Sequence, residues 1–434
     1  MRNLFAFAVL LIISLPQTVQ ANSFITKKWQ TANGARIVFY QAMEVPMLDI
    51  KVAFAAGSAY DGKQFGLSAL TTELLNQGSA GLDATAIAEK LANTGAQYNG
   101  ESSRNMVMLS LKTLTSQEAL KQSVDIFTLL ISKPDFLQEA FIREKSQQLM
   151  TIAQSQESPD NVANIAFFKT LYRDHPYGHP VNGTEESVKA LEIDHIRNFY
   201  KRYFVSSNAV IVMVGAIDEN KARQLAEQLT RHLPKGQPAP AIPKAEKLKT
   251  SEKIALHFPS SQTVLRLGQI GIDHHTPDYF PLTVGNYILG GGALVSRLAN
   301  EVREKRGLTY GVSSQFMPMP GDGPFLISLS TQNKQAGTAL KVTEDTLGKF
   351  IRQGPDEQEL IAAKQYLTGS FPLSLASNDN IANMLLRIAF FHLPDDYLDT
   401  YMANISAVTT EKIKKAFQEQ VQPDVMLLVS VGKM

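Results

Sequence analysis

Cysteine is absent from all 434 residues of this chain. The absence excludes a disulfide framework, a lipid anchor on cysteine and a thiol nucleophile. A chain this long does not need disulfides, because it can bury a core large enough to stabilise itself. No Gly-x-Ser-x-Gly elbow occurs either, so a serine hydrolase of that type has no support.

An excess of charge of one sign is also missing. The chain has 42 basic and 41 acidic residues, and its formal net charge is +1. The sequence also contains no basic stripe of the kind that binds nucleic acid, so we expect no nucleic-acid partner. The hydrophobic content of 44% and the charged content of 19% are typical of a soluble globular protein.

Long hydrophobic runs are missing except at the start. Residues 4–15 form one apolar run, which is shorter than the roughly 20 residues of a membrane-spanning helix. Arg2 precedes the run, and the segment 19–21 has the small-x-small pattern of a cleavage site. We therefore predict a signal peptide over 1–21, a secreted chain without a transmembrane segment, and a periplasmic location if the source is a diderm bacterium.

A proline-rich connector divides the remaining chain. Four prolines lie in or next to residues 235–250 (Pro234, Pro238, Pro240 and Pro243). Proline disfavours helix and central strand, so we expect an extended, exposed linker. The predicted domains are 22–234 and 251–434.

The two domains repeat one layout. A strand and a helix are predicted at 48–56 and 66–77, and again at 263–272 and 279–289. Apolar strands at 209–215 and 425–432 end the two domains. Matched points lie about 212 to 217 residues apart, which indicates a duplicated domain, although any two α/β halves look alike at this resolution. We predict an α+β fold of two homologous α/β halves, each a mixed or antiparallel sheet with helices over one face, joined by the linker into a clam-shell.

The helix at 66–77 poses a chemical question. Its sequence, GLSALTTELLNQGS over 66–79, has one face with Ala69, Thr72 and Glu73. Two neutral imidazoles four residues apart on such a face bind one tetrahedral zinc, and a glutamate between them acts as general base. Ala69 has no donor atom, Thr72 cannot accept a proton at neutral pH, and Glu73 alone is a poor zinc site.

Three stretches carry a family resemblance. They are ILGGGALVSRLANEVREKRGLTYGVSS at 288–314, HPYGHPVNGTEES at 175–187 and GAQYNGESSR at 95–104. The chain resembles, over almost all of its mature length, the pitrilysin/insulinase family of zinc peptidases. That family includes the mitochondrial processing peptidases and the core proteins of the cytochrome bc1 complex.

The resemblance implies what the helix has lost. Active members carry His-x-x-Glu-His here, and matching Gly66 and Gly78 to their frame puts Ala69 and Glu73 at the histidines and Thr72 at the glutamate. The third ligand, a glutamate about 75 residues on, matches Thr151, with Met150 beside it. We therefore expect no catalytic zinc and no other metal cofactor in this chain. The loop histidine pairs 175/179 and 274/275 are expected to be structural or solvated.

The second half retains a different part of the family's active site. The resemblance implies that an arginine and a tyrosine seven residues apart hold substrate over the zinc, and Arg303 and Tyr310 have that spacing. An arginine fork binds a peptide carbonyl or carboxylate, and a tyrosine hydroxyl donates to an oxyanion. The alternative is a surface ion pair for Arg303 and packing for Tyr310. Gly290, Gly291 and Gly292 are interpreted as a flexible loop between helices.

The segment 95–111 contains alternating side chains, at 106–111, that suit an edge strand. An exposed edge can bind an extended peptide by strand addition, although an ordinary covered strand is an equal alternative.

These observations lead to one hypothesis and one alternative. The chain resembles the non-catalytic subunit of a secreted heterodimeric zinc peptidase. It would lend Arg303 and Tyr310 in trans to a zinc-bearing homologous subunit, with peptides or unfolded segments as substrates and the linker as hinge. The alternative is a peptidase-derived scaffold or peptide-binding protein with no proteolytic role.

Overall fold

A computed structural model describes residues 24–433 of the chain. The predicted signal peptide at 1–21 lies outside these residues. The strands, in chain order, are β1 Lys27–Gln30, β2 Arg36–Gln41, β3 Met47–Phe54, β4 Gly78–Ser79, β5 Leu82–Asp83, β6 Gln97–Ser102, β7 Val107–Leu114, β8 Ala209–Gly215, β9 Glu252–His257, β10 Gln262–Ile270, β11 Thr309–Phe316, β12 Pro324–Gln332 and β13 Leu427–Gly432.

Helices account for most of the remaining chain. They are α1 Leu67–Leu74, α2 Ala84–Asn93, α3 Gln117–Ser132, α4 Gln138–Ser155, α5 Pro159–Tyr172, α6 Glu185–Lys189, α7 Ile193–Tyr203, α8 Glu219–Thr230, α9 Tyr279–Asn286, α10 Ala336–Gln353, α11 Glu357–Ser370, α12 Asn378–Phe390, α13 Tyr397–Ser406 and α14 Thr410–Gln420. Two π-helical turns, Tyr287–Gly291 and Ala299–Glu304, follow α9. No helix within residues 24–433 is long and apolar enough to cross a membrane.

Two sheets share one strand order. The first runs β1-β2-β8-β3-β7-β6 and the second runs β9-β13-β10-β12-β11. In each sheet one neighbouring pair is parallel, β2 with β8 and β9 with β13, and the other pairs are antiparallel. Without β1 the two orders superimpose, which confirms the predicted fold of two homologous halves with mixed sheets.

Each sheet is covered on one face by helices of its own half and on the other by a helix of the opposite half. Helix α5, from the first half, packs on β10 and β13 of the second sheet. Its Phe167 and Leu171 share a core with Val264, Leu427 and Val429. The second face of that sheet is therefore completed by the first half.

The exchange is reciprocal. Helix α12, from the second half, packs on β3 and β8 of the first sheet, and its Ile381 and Leu385 share a core with Val38, Val210 and Val212. Lys51 on β3 is buried, and its Nζ lies 2.8 Å from the Asp379 carboxylate on α12. The two halves are thus clasped by exchanged helices in addition to being connected by the chain.

The connector between α8 and β9 contains no helix or strand, but it is bound to both halves. The His175 ring nitrogen Nε2 lies 2.8 Å from the Pro243 carbonyl, and the Ala245 amide donates to the Gly321 carbonyl at 2.9 Å. Lys244 pairs with Asp273 at 2.6 Å and with Asp322 at 2.7 Å. Such anchoring opposes a hinge motion within this segment.

Two local predictions were wrong. The segment 95–111, predicted as one edge strand, contains a hairpin in which β6 is the edge strand and β7 lies second from the edge. Gly290 and Gly291 belong to a π-helical turn instead of a flexible loop, because the backbone of β11 packs against this turn. A Cβ on Gly290 would lie 2.6 Å from the Ser314 amide nitrogen.

Candidate functional site

Helix α1 is held in place at its first turn. Gly66 precedes it with φ of 90°, a conformation that glycine adopts without strain. A Cβ there would lie 2.6 Å from the Asn182 carbonyl oxygen. The buried Asp61 carboxylate accepts from the Gly66 and Ser68 amides, both at 2.8 Å. This cap fixes the direction in which the following side chains point.

The three side chains at the matched zinc-motif positions lie on one stretch of α1. Ala69 and Thr72 are buried, whereas Glu73 is exposed. The Thr72 hydroxyl donates to the Ser68 carbonyl at 2.8 Å, so it is occupied within the helix. Within residues 24–433 no group of three or more His, Cys, Asp or Glu residues is arranged to hold a metal ion.

Tyr98 of β6 fills the space beside these residues. Its hydroxyl is buried and has no hydrogen-bond partner among the described residues. A Cβ on Gly100 would lie 3.1 Å from that hydroxyl and 3.3 Å from Thr72 Cγ2, so these groups are neighbours. Burial raises the pKa of Tyr98, and the charge of Glu73 raises it further. The tyrosine was not singled out from the sequence, although its place on β6 offered a signal.

Helix α4 carries the position that was matched to the third ligand. Thr151 lines a cleft at the end of α4, and its hydroxyl donates to the Gln147 carbonyl at 3.1 Å. Glu144, also on α4, acts on Glu73 electrostatically. The residue Glu73 is exposed as a whole, but partial desolvation of its carboxyl group raises its pKa, and the charge of Glu144 raises the pKa further.

Arg303 and Tyr310 are brought together. The guanidinium carbon of Arg303 lies 5.5 Å from the centre of the Tyr310 ring, within cation–π range. Tyr310 is on the edge strand β11 with 90% of its surface exposed, so it is not a packing residue. Arg303 also pairs with Glu304 at 3.3 Å, whereas Arg306 is bound to Glu301. The pair forms an outward-facing arginine–tyrosine unit.

Strand β6 presents a second outward-facing feature. Gln97, Asn99 and Glu101 are exposed, and they alternate with the half-buried Tyr98 and Gly100. No strand among residues 24–433 pairs with its outer edge. The backbone N–H and C=O groups on that edge are available to an extended peptide.

The loop histidines have structural positions. His175 holds the connector, as described above, and His179 stacks on Phe65 with ring centres 4.2 Å apart. His274 stacks on Phe391 at 4.0 Å, and both of its ring nitrogens are buried without a partner among the described residues.

Known proteins resemble the chain over its length. A family model described as insulinase (peptidase family M16) matches residues 36–185, and one described as peptidase M16 inactive domain matches 190–367. A crystal structure of a peptidase M16 inactive domain from Pseudomonas fluorescens is 37% identical, with a TM-score of 0.91, and covers 94% of this chain and 98% of that one. The non-peptidase homolog YmxG of Helicobacter pylori is 25% identical over 413 residues, 94% of each chain. The uncharacterized zinc protease YmxG of Bacillus subtilis is 26% identical over 388 residues, 89% of this chain and 93% of that protein.

Two homologous halves and a zinc-motif helix without imidazoles define a non-catalytic relative of the two-domain zinc peptidases. The chain belongs to the insulinase family, peptidase family M16.

Proposed function

We propose that this chain is the non-catalytic, substrate-binding subunit of a heterodimeric zinc metallopeptidase. Zinc is held by a homologous partner subunit, and this chain supplies Arg303 and Tyr310 to the partner's active site. The substrates are peptides or unfolded segments. The predicted signal peptide supports a location outside the cytoplasm, which is the periplasm in a diderm bacterium.

The exposure of Tyr310 carries the proposal. A tyrosine with 90% of its surface in solvent gains nothing from core packing, yet the Arg303 guanidinium lies over its ring. In the partner's site the Tyr310 hydroxyl would donate a hydrogen bond to the oxyanion that forms at the scissile carbonyl. The Arg303 fork would hold a neighbouring peptide carbonyl. The absence of an imidazole at Ala69 and at Glu73 makes a partner necessary for the chemistry.

Strand β6 gives the proposed subunit a way to bind substrate. Its open edge would pair with the backbone of an extended peptide, which explains why substrates would be unfolded. The open edge of β6 can bind a peptide whether or not that peptide is then cleaved. It therefore supports the second candidate function, a peptide-binding scaffold, as much as the first.

The partner experiment separates the two functions. The chain is purified alone and with the zinc-bearing homologue from the same source, and peptide cleavage is measured. We expect cleavage only by the mixture, and we expect Tyr310→Phe to reduce kcat/KM about 10²-fold or more, the scale for one oxyanion donor.

Tyr366→Phe is the matched control, because Tyr366 is an exposed tyrosine on α11, outside the Arg303–Tyr310 pair. Cleavage that is equal for the wild type and for Tyr310→Phe would refute the role in trans. Stable association without any cleavage would instead support the scaffold.

A further inference from the structure

A cleft of about 650 Å³ lies between the two halves, beyond the N-terminus of α1. The first half lines it with the end of α4, with α5 and with the loop at 180–184. The second half contributes Gln315 at the end of β11, together with Met317 and Leu326. The cleft is large enough for a few amino-acid residues, and both halves are needed to form it.

Arg104 lies in this cleft, two residues after β6. Its guanidinium carbon lies 3.8 Å from the centre of the Phe168 ring, which fixes the plane of the fork. Its one hydrogen bond to the described protein is a long one, from Nε to the Tyr177 carbonyl at 3.4 Å. Neither terminal nitrogen donates to any described residue. Arg104 as a residue is half-buried, and it is one of the residues that line the cleft.

The charge of Arg104 is not compensated. Within residues 24–433 no acidic side chain lines the cleft, and Arg104 forms no ion pair. Asp160, which precedes the lining residue Asn161, is bound to the buried Arg266. Burial lowers the pKa of Arg104 to about 10, and the groups that oppose this are the hydroxyls of Tyr172 and Tyr177, with no carboxylate among them. An unpaired cation that is largely removed from water is costly, and an anionic ligand would reduce that cost.

The remaining lining is that of a peptide site. Amide side chains from both halves face the volume, among them Asn161, Asn164 and Gln315. Such groups both donate to and accept from a peptide backbone. Ile152, Ile165 and Leu326 add apolar surface that suits a hydrophobic side chain.

We propose that this cleft binds the free C-terminal carboxylate of a peptide, with the Arg104 fork as its anion-binding group. The two parallel N–H donors of the fork match the two carboxylate oxygens. The amides hold the last peptide units, and the apolar wall takes a hydrophobic C-terminal side chain. The site is formed by this chain alone, so it goes beyond the proposed function and does not depend on a zinc-bearing partner.

Calorimetric titration of the purified chain tests the proposal with two forms of one peptide. The probes are acetyl-alanyl-alanyl-leucine with a free carboxylate and the same peptide with a C-terminal amide. We expect the free acid to bind at least tenfold more tightly than the amide. Acetate and inorganic phosphate, titrated separately, are expected to bind more weakly than the free-acid peptide.

Three variants locate the binding. Arg104→Gln should remove the difference between acid and amide, whereas Arg352→Gln, on an exposed arginine of α10, should preserve it. Gln315→Glu keeps Arg104 and its packing but puts a carboxylate into the cleft from the second half, and it should weaken binding of the acid at least tenfold. This third variant keeps the test valid if Arg104→Gln fails to fold.

Several results would overturn the proposal. Equal affinity for acid and amide, or no binding of the free acid at millimolar concentration, would exclude a carboxylate site. Phosphate that binds as tightly as the peptide would show a general anion site and exclude the peptide terminus. None of these results bears on cleavage by a partner, so the two proposals fail separately.

Discussion

At the scale of single residues, Ala69 and Glu73 are the two positions at which α1 would have to change in order to hold zinc. Helix α4 already supplies Glu144, whose charge acts on Glu73. We therefore expect Ala69→His with Glu73→His to bind about one zinc per chain, because two imidazoles four residues apart and one carboxylate complete a three-ligand site. Metal content after dialysis measures this.

The third ligand can be tested in the same background. Adding Glu144→Gln should weaken zinc binding at least tenfold, whereas adding Thr151→Ala should leave it unchanged. The reverse outcome would assign the third-ligand position to Thr151.

His274 predicts an acid-dependent loss of stability. Burial lowers its pKa most, and the charges of Arg387 and His275 lower it further. Against the opposing charge of Asp273, these effects bring the pKa from the ordinary 6.5 to about 3. Because the folded state holds a neutral ring, the contribution of His274 to stability is present above about pH 6.5. It is lost as the pH falls from 6.5 towards 3, by up to about 1.4 kcal/mol per pH unit.

His274→Phe removes the titrating group and retains the stacking surface against Phe391. We expect the free energy of unfolding of this variant, measured with urea between pH 4 and 7, to depend less on pH than that of the wild type. An unchanged slope would assign the acid sensitivity to other groups.

Single residues also show where the sequence was informative. The family resemblance implied that Arg303 and Tyr310 act as a pair, and the structure brings the two side chains together. Glu144 was not singled out from the sequence, because its effect on Glu73 arises from the packing of α4 on α1 in the folded molecule. Arg104 was read as part of a strand motif, because its lack of a partner is a property of the folded molecule.

At the scale of elements, the π-helical turn Tyr287–Gly291 depends on Gly290. A Cβ there would lie 2.5 Å from Ser314 Oγ and 2.6 Å from the Ser314 amide nitrogen. We expect Gly290→Ala to lower the free energy of unfolding by about 1–3 kcal/mol, because β11 would have to move. Urea denaturation measures this.

Gly337→Ala is the control. Gly337 lies in the first turn of α10 with nothing within 4 Å of an added Cβ, so alanine should be neutral or stabilising by about 0.5–1 kcal/mol. If Gly290→Ala behaved like Gly337→Ala, the close contact with β11 would not be real.

Element types followed from hydrophobic periodicity, since β8 and α1 lie where the pattern placed them. Pairing was harder to predict. Apolar and polar residues alternate at 106–111, but alternation does not show where a strand reverses, so β6 and β7 were predicted as one strand. Over a few residues, the two π-helical turns after α9 have nearly the same hydrophobic periodicity as an α-helix. The sequence therefore could not distinguish π-helical from α-helical turns.

At the scale of the whole molecule, the exchanged helices predict that the halves stay together without a continuous chain. Protease cleavage within 235–250, where most residues are exposed, should leave both fragments in one peak on gel filtration. The reason is that α5 and α12 remain packed on opposite sheets. Separation of the fragments in buffer without denaturant would refute the clasp.

The duplicated layout was visible in the sequence as a long repeat, and the two sheets followed from it. The exchange of α5 and α12 was not visible in the sequence, because the apolar residues of either helix would suit either sheet. A pattern of this kind predicts that a face is covered but does not identify which half covers it.

The clasp also has a consequence for biosynthesis. A ribosome delivers β2, β3 and β8 long before it delivers α12, so the valine-rich side of the first sheet stays uncovered during much of translation. Nascent chains of this protein should therefore rely on a holdase chaperone until the last helices have emerged.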